Sequence, residues 1–358
     1  MTKPMHVTSL LLLLSIHYSC AENIPTEKTK IEVDQGHSNN SQSLNFTSGI
    51  RAIFQDSRGH YWLGSHAEGV AHFNGETFEY FTMNEGLADN QIRSLHEDQF
   101  GTVWIGTAQG VCSYDGEKMV IQAPDESAKT TWMRTDNDLW FSASIREGVY
   151  RHDGNRLTYL AFPVNQVNST FSNYSLTSFS KGKDGRLWFG TYAGVIGYNG
   201  EQFTVYNNET LNRTEEAESV HVRSVFEDSR GRLWIGNNGI GVILKNGDSF
   251  IHFSKEQGKL LPMNEFEANT LSNQYTKNTG LQSVFSIVED SQRNIWFGDR
   301  DSGAWKYDGK TLENYKIDPN LKSQMSWCIY RDQKNRLLFG MAEGGVYLWN
   351  GSGFEKQF

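Results

Sequence analysis

From Ile50 onward, short apolar runs alternate with polar turns, and the same arrangement returns seven times. Its first mark is an aromatic-centred strand: Trp62-Leu63-Gly64, Trp104-Ile105-Gly106, Trp140-Phe141-Ser142, Trp188-Phe189-Gly190, Trp234-Ile235-Gly236, Trp296-Phe297-Gly298 and Leu338-Phe339-Gly340. The third copy replaces Gly with Ser, and the seventh replaces Trp with Leu. Downstream of each stands an Asn-Gly or Asp-Gly pair, from Asn74-Gly75 to Asn350-Gly351. Such pairs predict two-residue hairpins with φ > 0 at both positions. Three residues beyond each of these glycines a large apolar residue opens another strand (Phe78, Met119, Leu157, Phe203, Phe250, Leu312, Phe354). Six residues before the aromatic mark, an Asp opens a turn at Asp56, Asp98, Asp228, Asp290 and Asp332. The third and fourth copies read as two residues shorter there, with Asp136 and Asp184.

Each unit therefore predicts four short antiparallel strands. One such sheet has two apolar faces and cannot stand alone, whereas radial stacking buries both faces and leaves only short edges. The expected fold is all-β, a seven-bladed β-propeller of four-stranded antiparallel blades. No strand exchange between the termini is evident; Leu44-Asn45-Phe46 is the one candidate for an added edge strand.

The N-terminus changes the cellular picture. Lys3 precedes a short apolar core, Val7 to Ile16, and the segment ends Ser19-Cys20. The core is too short for a comfortable membrane span and reads as an export signal. A small residue before cysteine resembles a bacterial lipobox, with His17 where leucine is usual. Residues 1–20 are thus expected to be a lipoprotein-type signal peptide with Cys20 lipidated, residues 21–45 a flexible polar tether, and residues 46–358 a single propeller. The expected location is periplasmic or at the outer membrane of a bacterium; ordinary cleavage after Ala21 would instead give a secreted protein. Cys112 and Cys328 fall in non-adjacent repeats, so free buried thiols are expected rather than a disulfide. The net charge of −9 and pI near 5.6 exclude a nucleic-acid partner, which needs a concentrated basic surface.

The repeat marks, in this order, resemble the two-component regulator propeller repeat. The clearest copies are Val225 to Gly236 (VFEDSRGRLWIG) and Ile53 to Gly64 (IFQDSRGHYWLG), and Glu85 to Ile92 is similar to the family's Gly-Leu linker. The resemblance implies a sensor-type propeller of the kind found as periplasmic input domains of bacterial sensor kinases, often with carbohydrate ligands. Here a single array is present with no transmembrane helix after it and no kinase or DNA-binding segment. Signalling would pass through a membrane sensor or a surface protein partner.

Topology places the Asp turns and the Asn/Asp-Gly turns on one face, and the loops after each Trp strand, with the blade connections, on the other. The longest connections, 161–173, 207–220 and 254–280, belong to this second face, where function is expected. Arg51, Arg93 and Arg223 share one repeat position and should approach the channel mouth. His66, Arg146, Tyr192, His221, Arg300 and Trp327 are expected around them, with Glu68, Gln109, Glu147, Asn237, Asp299, Asp301 and Glu343 from the same loops. Arginines beside aromatics suit a carbohydrate or a carboxylate through bidentate bonds and stacking. The turn aspartates and strand tryptophans read as turn and packing residues. The sequence has no His-x-x-x-His pair, phosphate loop or nucleophile elbow. No catalytic residue, cofactor or metal is therefore assigned. The leading expectation is an exported ligand- or protein-binding module. The alternatives are a propeller lyase or hydrolase using His66 or His221 with Glu68 or Glu343, and a rim-binding scaffold without a small ligand.

Overall fold

In the computed structural model, which describes residues 40–126, 131–164, 173–213, 219–262 and 280–358, seven antiparallel sheets follow one another in chain order. The inner strands are Ile50–Gln55, Ile92–Glu97, Leu176–Lys181, Val222–Glu227, Val284–Glu289 and Ser326–Arg331. Next to each lies its aromatic-marked second strand, such as Leu233–Asn237. The fold is a seven-bladed propeller, and among the described residues no helix is long and apolar enough to cross a membrane.

The blades hold together through the aromatic strands. Trp62 packs with blade 2 residues Leu95, Val103 and Ile105, and Trp188 with blade 5 residues Val225 and Ile235. The turn aspartates have a local structural role. Asp56, Asp98, Asp228 and Asp290 each accept the indole N–H of their own blade, as in Trp234 Nε1 to Asp228 Oδ2 at 2.9 Å and Trp296 Nε1 to Asp290 Oδ2 at 2.8 Å, while the other oxygen caps turn amides; Asp332, whose blade carries Leu338, accepts Tyr61 OH of blade 1 instead. Blade 4 departs from this. Gly182 closes the turn with Arg186, so the fourth copy is not shortened, and its turn residue is glycine rather than Asp184. The missing carboxylate comes from the next blade: Glu227 accepts Trp188 Nε1 at 2.6 Å and Lys183 N at 2.9 Å.

The hairpin expectation is corrected in detail. All seven glycines of the pairs have positive φ, from 58° to 104°, but none of the preceding Asn or Asp residues does. In six hairpins the Asn or Asp side chain instead accepts two amides across a longer loop; Asn74 Oδ1 takes Glu76 N and Thr77 N, both at 2.9 Å. Asx side chains that mimic a turn favour this geometry.

Blade 3 is the main exception. Among the described residues it has three strands, Leu139–Ser142, Gly148–His152 and Leu157–Ala161, and no inner strand. Of the chain entering it, Asp125 bridges Thr158 of the outer strand, and Trp132 wedges among Trp140, Phe162, Tyr198 and Phe203. The expectation of four strands in every blade fails here: Asp125 and Trp132, described residues of the entering segment, pack elsewhere in the blade and do not line the channel cavity.

The ring closes through side chains. Tyr61 OH donates to Asp332 at 2.8 Å, Gln333 Nε2 to Asp56 O at 2.8 Å, and Phe358 packs on Tyr61, Phe73 and Phe78. The added edge strand is Asn40–Ser41, paired with Phe78 and Glu79, rather than Leu44-Asn45-Phe46. Residues 40–45, assigned to the tether above, thus adjoin blade 1, where Leu44 packs with Phe46. Cys20 and most of the tether lie outside the described residues. Cys112 and Cys328 are both free.

Candidate functional site

One backbone irregularity builds the site. In all six inner strands the register slips at the second residue: Ile50 pairs with Ser65 and Ala52 with Gly64, leaving Arg51 unpaired. The same slip leaves Arg93, Thr177, Arg223, Phe285 and Trp327 unpaired. A bulge adds a residue to one strand and re-aims its side chain. Here it turns six side chains toward the axis, and all six line one cavity of about 310 Å³ in the channel.

Its mouth is cationic. Among the described residues no carboxylate lines the cavity, and Arg51, Arg93 and Arg223 have no ion-pair partner. Aromatic rings take the carboxylates' place. The Arg51 guanidinium lies 4.5 Å from the Trp327 ring centre, and Arg223 lies 4.4 Å from Phe285 and 5.6 Å from Tyr192. Burial, with Arg93 and Arg223 nearby, brings Arg51 down to about 10, so it stays charged at neutral pH. Burial also lowers Arg223. His66 stacks on Trp327 with ring centres 5.8 Å apart, and its Nδ1 lies 3.1 Å from Arg51 Nη1. A guanidinium can only donate, so that nitrogen accepts. Burial, then Arg51 and Arg93, lower the His66 pKa.

The nine ligand-binding residues expected from the sequence separate into three groups. Arg51, Arg93, Tyr192, Arg223 and Trp327 share the cavity wall. His66 and His221 stand behind it, His66 on Trp327 and His221 edge-on to Tyr192 at 5.0 Å. Arg146 and Arg300 do not line it. Arg146 lies over Tyr159 and pairs with Glu126 at 2.7 Å, while Arg300 makes a bidentate pair with Asp301 at 2.8 and 2.9 Å. The acidic loop residues are also committed to the backbone. Glu68 caps Thr47 and Ser48, Glu343 caps Ser323, Glu147 caps Tyr174, and Asp299 takes five donors including Ser283 N and Ser302 Oγ. The grouping of His66, His221 and a glutamate is therefore not assembled: the histidines flank different wall residues and the carboxylates are occupied. The long connections fall largely outside the described residues.

The sequence reading missed part of the wall. Where blade 3 lacks its inner strand, His96 of blade 2, Trp140 and Ser142 of blade 3, and Phe179 of blade 4 become cavity-lining residues. The signal was present in Ser142. In the other blades this position is glycine because the inner strand presses on it; an added Cβ at Gly106 would lie 2.5 Å from Ser94 Oγ, and at Gly298 2.5 Å from Ser286 Oγ. With no inner strand, blade 3 accommodates a side chain.

On the opposite face, Asp56, His60 and His72 place donor atoms within 4.8 Å of one another, a grouping that could hold a metal ion. His60 Nδ1 is 3.0 Å from His72 Nε2, but Asp56 is already engaged by Trp62 and Arg58.

Fold and cavity together define a seven-bladed propeller with a cationic, aromatic-walled channel mouth. Three stretches, 86–109, 170–193 and 217–239, match the two component regulator propeller family model. No curated protein matches the sequence. Among solved structures, the chain is similar to the extracellular domains of two B. thetaiotaomicron proteins described as hybrid two component systems. With BT3049 it shares 19% identity over 87% of this chain and 40% of that one, at a TM-score of 0.63. With BT4673 the values are 22%, 86%, 39% and 0.61. It is also similar to virginiamycin B lyase from Staphylococcus aureus, with 15% identity over 86% of this chain and 96% of that one and a TM-score of 0.60. The chain thus spans about two fifths of the B. thetaiotaomicron domains. At these identities the likeness defines the fold alone.

Proposed function

We propose that this protein is an exported ligand-binding propeller whose ligand presents an anionic group to Arg51, Arg93 and Arg223 at the channel mouth. One observation carries the reading: three converging guanidiniums, two of them with pKa values lowered by burial, line a cavity where, among the described residues, they have no carboxylate partner, in a chain whose net charge is −9. Buried charge is costly unless paired, and a carboxylate, sulfate or phosphate group would supply bidentate partners. Trp327, Phe285 and Tyr192 offer faces to the rest of the molecule. The cavity, about 310 Å³, is at the lower end of the ~300–1,000 Å³ usual for small-ligand sites, which suits a ligand of one or two rings. Acidic sugars satisfy both requirements.

The family description and the extracellular B. thetaiotaomicron domains support a sensory role outside the cytoplasm. Lipid attachment at Cys20 and transmission through a membrane sensor or surface partner belong to the same reading. The test is a panel of acidic and neutral mono- and disaccharides, titrated calorimetrically against the wild type and the combined Arg51→Ala, Arg93→Ala, Arg223→Ala variant. Acidic members should bind the wild type and not the variant. Unchanged binding in a folded variant overturns the site.

A further inference from the structure

The recess left by the missing strand of blade 3 opens from the same cavity, and its chemistry differs from that of the mouth. Its walls are the Trp140 indole, the Phe179 ring, the His96 imidazole and the Ser142 hydroxyl. Trp140 and Phe179 are near-parallel, with centres 6.4 Å apart and planes at 26°. In a complete blade the next inner strand would cover the His96 side; here His96 meets only the edge of Phe141, at 5.3 Å, and makes no hydrogen bond among the described residues. Burial brings its pKa down to about 4, so the ring is neutral at pH 7 and offers one donor and one acceptor. The recess therefore holds aromatic faces and neutral hydrogen-bonding groups, with no charge on its walls. Ser142 shows that the space is real, since its counterparts in the other six units are glycine.

We infer that this recess is a specificity subsite for an uncharged, hydroxylated ring attached to the anionic group held at the mouth. The inference rests on the anionic-ligand reading above. The partly exposed Phe179 ring, backed by the buried Trp140, stacks on the apolar side of such a ring, while His96 and Ser142 take its hydroxyls. Two kinds of contact would then read one molecule, the arginines its charge and the blade 3 recess its body. A small inorganic anion would use only the first.

The experiment compares inorganic sulfate with glucuronate as probes, by calorimetry, on the wild type, Ser142→Leu, His96→Phe and Arg223→Ala. Ser142→Leu fills the recess, and His96→Phe removes its hydrogen-bonding group without a large change of volume; thermal melts establish that each variant is folded. The expected result is that both recess variants leave sulfate binding within about two-fold and weaken glucuronate roughly ten-fold or more, a loss typical of a buried ring contact, while Arg223→Ala weakens both probes. Equal glucuronate affinity in the wild type and in whichever recess variants fold overturns the subsite and leaves the anion site standing. Absence of both probes from the wild type overturns the anion site, and the subsite with it. Loss of both probes in the folded recess variants also overturns the subsite, because the recess would then support the mouth rather than read the ring.

Discussion

Gly298 lies directly against Ser286 of the neighbouring strand: a Cβ added to the glycine would stand 2.5 Å from Ser286 Oγ and 3.1 Å from Ser326 Oγ of the next blade. The glycine after the tryptophan mark is therefore a spacing device that lets one inner strand close on the second strand and on the following blade. Gly298→Ala is expected to destabilise the fold by about 1–3 kcal/mol, the usual cost of overpacking. Ser142→Ala, at the equivalent position of the blade without an inner strand, should stay within about 0.5 kcal/mol of wild type. Denaturant midpoints of the two variants check the contrast. Equal losses would mean that the glycine has another role.

The fold was legible because its marks are packing necessities. A tryptophan between blades, a glycine beneath an inner strand and an aspartate on an indole each recur wherever the same contact recurs. The arginine position was legible for the same reason, although the sequence does not reveal why Arg51, Arg93 and Arg223 point to the axis; that follows from a bulge, which is a property of pairing register. Arg146 and Arg300 were misplaced because carboxylates hold them off the cavity, the adjacent Asp301 for Arg300 and Glu126, 20 residues upstream, for Arg146. The three-stranded blade was the hardest feature. The segment before Trp140 has the length of a turn and strand, and Ser142 alone, read as a missing contact rather than a conservative change, pointed to the gap.

Gly182 and Glu227 form an exchanged pair. An added Cβ at Gly182 would lie 2.5 Å from Glu227 Oε2, the carboxylate that takes over the Trp188 bond. Glu227→Ala should cost about 1–3 kcal/mol by leaving the indole N–H and Lys183 N without a partner. Gly182→Asp alone should also destabilise, by crowding two carboxylates. The double variant restores the arrangement of the other blades and should recover part of the loss, a favourable coupling that a double-mutant cycle measures. Additive losses would refute the exchange.

Stability should fall on mild acidification. Burial, with His60 nearby for His72 and Arg223 for His221, lowers both histidines to about 4, and burial alone does so for His96. Such groups bind fewer protons folded than unfolded, so their contribution is complete above an unfolded value near 6.5 and is lost as pH falls through about 4. Asp299, pushed up to about 6 by burial and then by Asp301, acts in the opposite sense, since its contribution is lost as pH rises from 3.8 through about 6. Three histidines against one aspartate give a net decline below about pH 6.5. Melting temperatures across this range should show it, and His221→Phe, which removes a buried Nε2 without a partner, should flatten the profile. A flat wild-type profile would contradict the assignment.

The central claim is that the channel mouth is an anion site made by three bulged arginines. Crystals soaked in selenate and measured at the selenium absorption edge test it most directly. The expected result is an anomalous peak within hydrogen-bonding reach of Arg51, Arg93 and Arg223, absent from crystals of the combined alanine variant. Selenate density elsewhere on the protein, with the mouth empty, would contradict it.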